Sequence, residues 1–134
     1  MNLVLIIILS YLIGSFPTSI VVGKLFFKKD IRDYGSGNAG GTNAVRVFGW
    51  QAGIPVIVFD VAKGAAAVLW ISQLHLFEMT AGICSDEATA LAAGAAAVCG
   101  HIWTIFAGFR GGKGVATAAG MIAALYPIGF SAAV

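Results

Sequence analysis

The hydrophobic positions of the chain form four long runs, separated by short polar or glycine-rich segments. The runs cover about residues 1–27, 53–74, 88–106 and 115–134. Each is close to the roughly 20 apolar residues that an α-helix needs to cross a hydrocarbon layer about 30 Å thick. The pattern therefore predicts an all-α fold, a polytopic transmembrane bundle with about four spans in a single integral membrane domain covering residues 1–134.

The first run is interrupted by a proline, Pro17, which lies between Ser15 and Thr18. Proline removes a helical hydrogen bond, so we expect a kink or a local break, tolerable in lipid only where neighbouring groups satisfy the freed carbonyl. The pattern leaves open whether this is only a kink or a helix opened toward a site. Lysines follow this run instead of preceding it, which predicts an uncleaved span and not a signal peptide.

The charged residues indicate how the bundle is oriented. Hydrophobic residues make up 59% of the chain and charged residues 10%, and a formal net charge of +2 is too small to indicate a nucleic-acid partner. Seven of the eight Lys and Arg residues fall at loops on one side, whereas residues 73–87 contain none. The positive-inside rule then predicts that the basic loops, including residues 28–50 as one loop, face the cytoplasm.

The stretch 35–43, GSGNAGGTN, combines four glycines with four small polar side chains. Glycines allow several backbone N–H groups to converge, the polar side chains add donors, and the flanking Arg32 and Arg46 add cationic forks. This combination is typical of a pocket for phosphate or another small anion, and the alternative is a flexible hairpin between two spans. The candidate residues here are Gly35, Ser36, Gly37, Asn38, Gly40, Thr42, Asn43 and Arg46.

A second glycine-rich turn, residues 107–114, contains Arg110 and Lys113. In the predicted topology both glycine-rich stretches face one compartment, and the second and fourth spans begin there. Helix N-termini carry partial positive charge and free N–H groups, so we expect these two N-termini to complete the anion site. The candidate residues of this part are Gly111, Gly112, Lys113, Gly114 and Thr117.

Two charged residues and one histidine occur inside the second and third predicted spans. Asp60 and Lys63 are three positions apart, on one helical face, where they can pair. Charges inside a span usually face a cavity or a partner, so the pair is either structural or part of the site. His101, near the end of the third span, could orient a hydroxyl or act as a base, or it could be a satisfied structural donor.

Two apparent nucleotide motifs are rejected. Gly35, Gly37 and Gly40 satisfy G-x-G-x-x-G, but the dinucleotide fold needs a βαβ unit and here a membrane span precedes the motif. The segment GGKGVAT at 111–117 lacks the Walker spacing and has no Ser or Thr directly after its Lys. The His and carboxylate residues show no metal-ligand spacing, so no metal or other cofactor is expected.

Together these motifs resemble the bacterial acyl-phosphate:glycerol-3-phosphate acyltransferase family. The matching segments are GSFP at 14–17, DIR at 30–32, GSGNAGGTN with Arg46, Asp60 with Lys63 and Gly64, Gly100 with His101, and GGKGVAT. Gly41 stands where the family more often has alanine. The family's third cytoplasmic motif, with its functional His and Asn, has no counterpart here, and the last apolar run has no closing polar segment. We therefore expect the N-terminal part of a protein of about seven spans.

The resemblance implies a multi-pass enzyme of the bacterial inner (cytoplasmic) membrane, with its glycine-rich loops facing the cytoplasm. Such enzymes move a fatty acyl group from acyl phosphate to the first hydroxyl of glycerol 3-phosphate, giving 1-acylglycerol 3-phosphate (lysophosphatidic acid) and phosphate in phospholipid biosynthesis. The expected partners are these two substrates and membrane lipid, without nucleic acid, and the oligomeric state is left open.

The expected site divides into two groups of residues. The resemblance implies catalytic roles for Ser36, Asn38, Arg46 and Lys113, to which we add His101. Lys63 and the glycine-loop residues named above are expected to bind substrate or phosphate. The main alternative is a transporter or channel subunit for a small phosphate-containing anion, although the polar groups cluster on one side and do not continue across the bundle. A third possibility is a purely structural bundle subunit.

Overall fold

The computed structural model describes residues 2–74 and 86–126, and within these ranges the chain forms helices and connecting loops, with no strand. The helices are α1 Asn2–Gly14, α2 Thr18–Phe26, α3 Gly41–Phe48, α4 Trp50–Leu69, α5 Asp86–Ile102 and α6 Val115–Leu125. Single 3-10 turns lie at Ile31–Asp33, Ile71–Gln73 and Ile105–Ala107. The all-α prediction is confirmed. We call residues 27–40 the first loop and residues 103–114 the second loop.

Within the described ranges, three helical segments are long and apolar enough to cross a membrane. They are Leu3–Phe26, Trp50–Gln73 and Asp86–Ala107, with 24, 24 and 22 residues. The fourth predicted span begins as α6, of which 11 residues are described, and residues 127–134 lie outside the described part. Residues 75–85, most of the predicted loop without basic residues, also lie outside it. The chain is thus a multi-pass membrane protein.

The expected break at Pro17 is present, because α1 ends at Gly14 and α2 begins at Thr18. The hydroxyl of Thr104 donates to the carbonyl oxygen of Ser15. The Lys63 ammonium donates to the carbonyl oxygen of Phe16, with an Nζ–O distance of 3.0 Å. Two carbonyls at the break therefore have partners elsewhere in the bundle, one from the second loop and one from α4, as a backbone interruption within a membrane requires.

Glycines let the helices of the bundle pack backbone to backbone. A Cβ atom added at Gly64 in α4 would overlap the carbonyl oxygen of Thr117 in α6, and one at Gly120 in α6 would overlap that of Val61. Gly14 in α1 lies similarly close to the backbone of α5. These small residues replace the side chains that would keep the helices apart, a common solution where lipid provides no hydrophobic drive for association.

The prediction of one loop over residues 28–50 is wrong, because that segment contains helix α3. Helix α3 starts at Gly41, which lies so close to Ile57 of α4 that a Cβ would overlap its side chain. One face of α3 is buried, including Ala44, while Arg46 is exposed. At Gly49 a φ of 85° lets the chain turn directly into α4. The glycines that suggested a flexible loop instead permit close packing of α3 on α4.

Candidate functional site

A cleft of about 430 Å³ lies where the two loops meet α3, α4, α5 and α6. All five residues expected to be catalytic line it, together with four of the expected binding residues. These nine are Ser36, Asn38, Gly40, Thr42, Asn43, Arg46, His101, Lys113 and Gly114. The structure thus brings together residues that are up to 78 positions apart in the chain, from 36 to 114.

The other expected binding residues lie around the cleft and do not line it: Gly35, Gly37, Lys63, Gly111, Gly112 and Thr117. Gly35 and Gly37 adopt φ values of 60° and 71°, which shape the first loop. Thr117 is fully buried, at the contact between α4 and α6. Arg110, also expected beside the anion site, is exposed and lies outside the lining.

The first loop is held in shape by the side chain of Asn43, which is 1% exposed. Its Oδ1 accepts the backbone N–H of Ser36 at 3.0 Å, and its Nδ2 donates to the carbonyl oxygens of Tyr34 and Asn38, each at 3.0 Å. Asn43 was expected to bind substrate, yet its amide group already has partners within the loop. Its contacts fix the positions of Ser36 and Asn38 at the cleft.

Two helix N-termini face the cleft, and only one of them, that of the fourth predicted span, was expected. The beginning of α3, through Gly41 and Thr42, and the beginning of α6, through Val115, line the cavity. Helix α4 starts farther back, at Trp50, and contributes residues from its later turns. The expectation for the second span is therefore wrong, because the unpredicted helix α3 supplies that N-terminus. First-turn N–H groups and the helix dipole favour an anion at both positions.

The cleft contains two cationic side chains available to a ligand. Arg46 on α3 and Lys113 on the second loop are both exposed. Neither forms an ion pair with any residue of the described ranges. An arginine offers a planar fork and a lysine a compact point charge, and both bind phosphate oxygens well.

A buried polar cluster forms the floor of the cleft around Asp60, which is 1% exposed. Its Oδ1 lies 2.8 Å from Nζ of Lys63 and accepts the hydroxyl of Thr18 at 3.1 Å. The predicted pairing of Asp60 with Lys63 is therefore confirmed. Lys63 also donates to the Phe16 carbonyl oxygen, so its ammonium serves both the ion pair and the helix break.

His101 connects this cluster to the second loop. Its Nδ1 lies 3.6 Å from Oδ1 of Asp60, and its Nε2 faces Gly112 so closely that a Cβ there would overlap the ring nitrogen. The backbone N–H of Gly112 donates to the carbonyl oxygen of His101 at 3.1 Å. The second loop thus folds back over the end of α5, with the imidazole between the loop and the carboxylate.

The sequence left Asp60 as either structural or part of the site, and only Lys63 of this pair was named among the expected binding residues. Asp60 lines the cleft, and its Oδ2 is buried with no hydrogen-bond partner among the described residues. The available signal was a carboxylate within a span, which usually faces a cavity.

Arg32 does not line the cleft, contrary to the expectation that it would add a cationic fork beside the anion pocket. Its guanidinium binds both carboxylate oxygens of Asp30 and the carbonyl oxygen of Ala107. The hydrogen bonds from Arg32 hold the pKa of Asp30 well below its usual range, against the opposing effect of burial. The ion pair therefore persists through the neutral and mildly acidic range, and the arginine charge is already compensated.

An apolar groove of about 450 Å³ also borders the buried cluster. Its walls are Leu9, Leu12, Ile13, Phe16, Phe59 and Phe106, and its polar end is formed by Thr18 and Lys63. Asp60 lines the cleft and its partner Lys63 lines the groove, so the two cavities adjoin at this ion pair.

Comparison with known proteins gives a consistent set of relatives. The family model described as "Glycerol-3-phosphate acyltransferase" matches residues 4–134. The glycerol-3-phosphate acyltransferase of Chlorobaculum tepidum is 54% identical over 125 residues, which cover 92% of this chain and 54% of that protein. The one of Chlorobium chlorochromatii is 48% identical over 131 residues, covering 96% and 56%. The chain spans about half the length of the curated relatives it matches.

Solved structures agree with these sequence matches. A crystal structure of PlsY, an integral membrane glycerol 3-phosphate acyltransferase, in its glycerol 3-phosphate form has a TM-score of 0.79 and 35% identity to this chain. The match covers 95% of this chain and 59% of that one. The lysophosphatidic acid form of the same protein has a TM-score of 0.75 and 34% identity, covering 95% and 58%.

Proposed function

We propose, from the premise that this chain belongs to the glycerol-3-phosphate acyltransferase family, that it transfers a fatty acyl group from acyl phosphate to the 1-hydroxyl of glycerol 3-phosphate. The products are 1-acylglycerol 3-phosphate and inorganic phosphate. The observation that carries the proposal is one cleft in which Arg46 and Lys113, neither of them ion-paired within residues 2–74 and 86–126, lie beside two helix N-termini. The reaction brings together two substrates that each carry a phosphate, and this cleft offers anion-binding groups from two separate loops.

The chemistry needs positioning more than a nucleophilic side chain. Acyl phosphate is a mixed anhydride with a good leaving group, so catalysis can come from holding two anions together and neutralising the charge on the departing phosphate. In our proposal Arg46 and Lys113, with N–H groups of the glycine-rich loops, bind the two phosphates. Ser36 and Asn38 position the acceptor hydroxyl, whose proton passes either to the leaving phosphate or to His101.

The acyl chain has a natural place in the apolar groove. Its aliphatic and aromatic walls suit a fatty acyl chain, and the groove adjoins the cleft at the ion pair of Asp60 and Lys63. A donor with its chain in the groove would present its acyl carbonyl near the cleft. This arrangement explains why the reaction takes place within a membrane.

We place the cleft at the cytoplasmic face of the bacterial inner membrane. The contact between Arg32 and Ala107 joins the two loops, so the cleft lies at the end of the bundle that carries the basic residues. That end faces the cytoplasm according to the positive-inside rule. The matches to acyltransferases do not favour the transporter alternative.

The test compares two basic residues of the second loop. Transfer of the palmitoyl group from palmitoyl phosphate to labelled glycerol 3-phosphate is measured for the chain in lipid. Lys113→Ala is expected to lower turnover at least about 100-fold, because the departing phosphate loses its counter-charge. Arg110→Ala, which removes the same charge outside the cleft, is expected to stay within about twofold of the parent.

Three results would contradict the proposal. Equal turnover in the Lys113→Ala variant and the parent would show that Lys113 does not act in the site. A parent chain that neither forms product nor binds glycerol 3-phosphate would refute the reaction itself. Uptake of glycerol 3-phosphate into liposomes without chemical change would support the transporter alternative.

A further inference from the structure

We propose that Arg32 is a positioning residue that fixes the separation of the two loops, by bridging Asp30 in the first loop to Ala107 in the second. The inference rests on the proposed function, because this separation matters for turnover only if both loops bind substrate at the same time. Arg32 itself touches neither substrate in this account.

The bridge uses every nitrogen of the guanidinium. Nε donates to Oδ1 of Asp30 at 2.9 Å and Nη2 to Oδ2 at 2.8 Å, which makes a two-point contact with the carboxylate. Nη1 donates to the carbonyl oxygen of Ala107 at 2.9 Å. Because the guanidinium is planar and rigid, the carboxylate contact sets the direction of the third donor. The side chains of Arg32 and Asp30 are only 19% and 18% exposed.

Both ends of the bridge are anchored in the protein. Asp30 also accepts the backbone N–H of Arg32 at 3.1 Å and so caps the 3-10 turn that starts at Ile31. Ile31 is fully buried in a small core with Ile20, and Ala107 packs against that core. Because both loops are packed on the core at this point, the bridge fixes the position of the second loop relative to the first.

The geometry of the cleft depends on this separation. The first loop carries Ser36 and Asn38, and the second carries Lys113. In a reaction that relies on two substrates held in register, a displacement of about 1 Å can cost up to about 100-fold in rate. A loosened bridge should therefore impair transfer between two bound substrates more than the binding of one substrate.

The experiment compares Arg32→Ala and Arg32→Lys with the matched control Lys24→Ala. Lys24 also lies near Asp30, with an Nζ–Oδ2 distance of 3.6 Å, but its side chain is 60% exposed. The three readouts are kcat/KM for transfer, binding of glycerol 3-phosphate alone, and hydrogen exchange of residues 104–112.

For Arg32→Ala we expect kcat/KM to fall about tenfold to 100-fold, while glycerol 3-phosphate alone binds within about threefold of the parent. Exchange in residues 104–112 is expected to rise about tenfold, because the second loop loses a tether. Arg32→Lys should also lower kcat/KM and raise exchange in residues 104–112 without changing glycerol 3-phosphate binding, since an ammonium group is a point charge and cannot reproduce the fork. Lys24→Ala should match the parent throughout.

Exchange in residues 104–112 that stays at the parent level in Arg32→Ala would overturn the proposal. Loss of glycerol 3-phosphate binding with parent-level exchange would also overturn it, because Arg32 would then contact the substrate. If Arg32→Ala does not fold, Arg32→Lys decides by the same criteria. A parent chain that neither transfers the acyl group nor binds glycerol 3-phosphate would refute the proposed function alone, since the exchange comparison tests the bridge without any turnover.

Discussion

The polar residues around the cleft divide into those engaged within the protein and those left for a ligand. Asn43 holds the first loop, and Lys63 serves both an ion pair and a helix break. Arg46 and Lys113 line the cleft without an ion pair to any described residue. This division separates residues whose loss should affect folding from residues whose loss should affect turnover.

At the residue scale, Gly112 is the position where the second loop lies directly against the His101 imidazole. A methyl group there would overlap Nε2 of His101 and press on the carbonyl oxygen of Ala39 in the first loop. We expect Gly112→Ala to displace the imidazole or the loop and to lower palmitoyl transfer at least about tenfold.

The control for that variant is Gly108→Ala in the same loop. Gly108 has open space around its Cα but a φ of 64°, so alanine there should cost about 1–2 kcal/mol of backbone strain without touching the site. Its kcat/KM should remain near that of the parent. Equal losses of transfer in both variants would show that general loop strain, and not contact with His101, explains the effect.

At the scale of the elements, the first span is notable because it consists of two helices, α1 and α2, and the break between them contributes to the polar floor of the cleft. The break between α1 and α2 places the Phe16 carbonyl oxygen and the Thr18 hydroxyl beside α4, where Lys63 and Asp60 meet them. The polar floor of the cleft thus depends on an interruption in a neighbouring membrane span. Lys63 stabilises the break by donating to the Phe16 carbonyl, and the break in turn presents the Thr18 hydroxyl to Oδ1 of Asp60.

This dependence predicts a large loss of stability for Lys63→Met. The change leaves the Asp60 carboxylate without its cation and the Phe16 carbonyl without its donor, which should cost about 3–5 kcal/mol in unfolding free energy. Unfolding in detergent measures the loss, with the exposed Lys28→Met as control. The double variant Asp60→Asn/Lys63→Met should recover part of the loss, because no uncompensated charge stays buried. A Lys63→Met variant as stable as the parent would show that the pair does not support the break.

At the scale of the whole molecule, the sequence predicts the membrane spans well but does not predict the contacts between distant residues. Lipid demands long apolar helices, so the runs of hydrophobic residues indicated the spans, and Pro17 indicated the break. Helix α3 was missed because its first residue, Gly41, is set by a contact with Ile57 on another helix. The contact of Arg32 with Ala107 could not be predicted either, because Ala107 is 75 residues away and offers only a backbone carbonyl.

The candidate site shows the same limit. Local composition was enough to find the glycine-rich loops and their cations, because phosphate binding needs many N–H groups and positive charge in a short stretch. It could not distinguish Asn43, whose amide is used inside its own loop, from neighbouring residues with free donors. That distinction depends on the folded path of the first loop.

The most direct test of the central claim follows the oxygen atom of the acceptor hydroxyl. The chain in lipid is incubated with palmitoyl phosphate and with glycerol 3-phosphate that carries a heavy oxygen isotope at its 1-hydroxyl. The masses of the products are then measured by mass spectrometry. Our account predicts that the isotope appears in the ester of 1-palmitoylglycerol 3-phosphate, with one unlabelled phosphate released for each product molecule. Phosphate release without labelled ester, or recovery of both substrates unchanged, would contradict acyl transfer in this cleft.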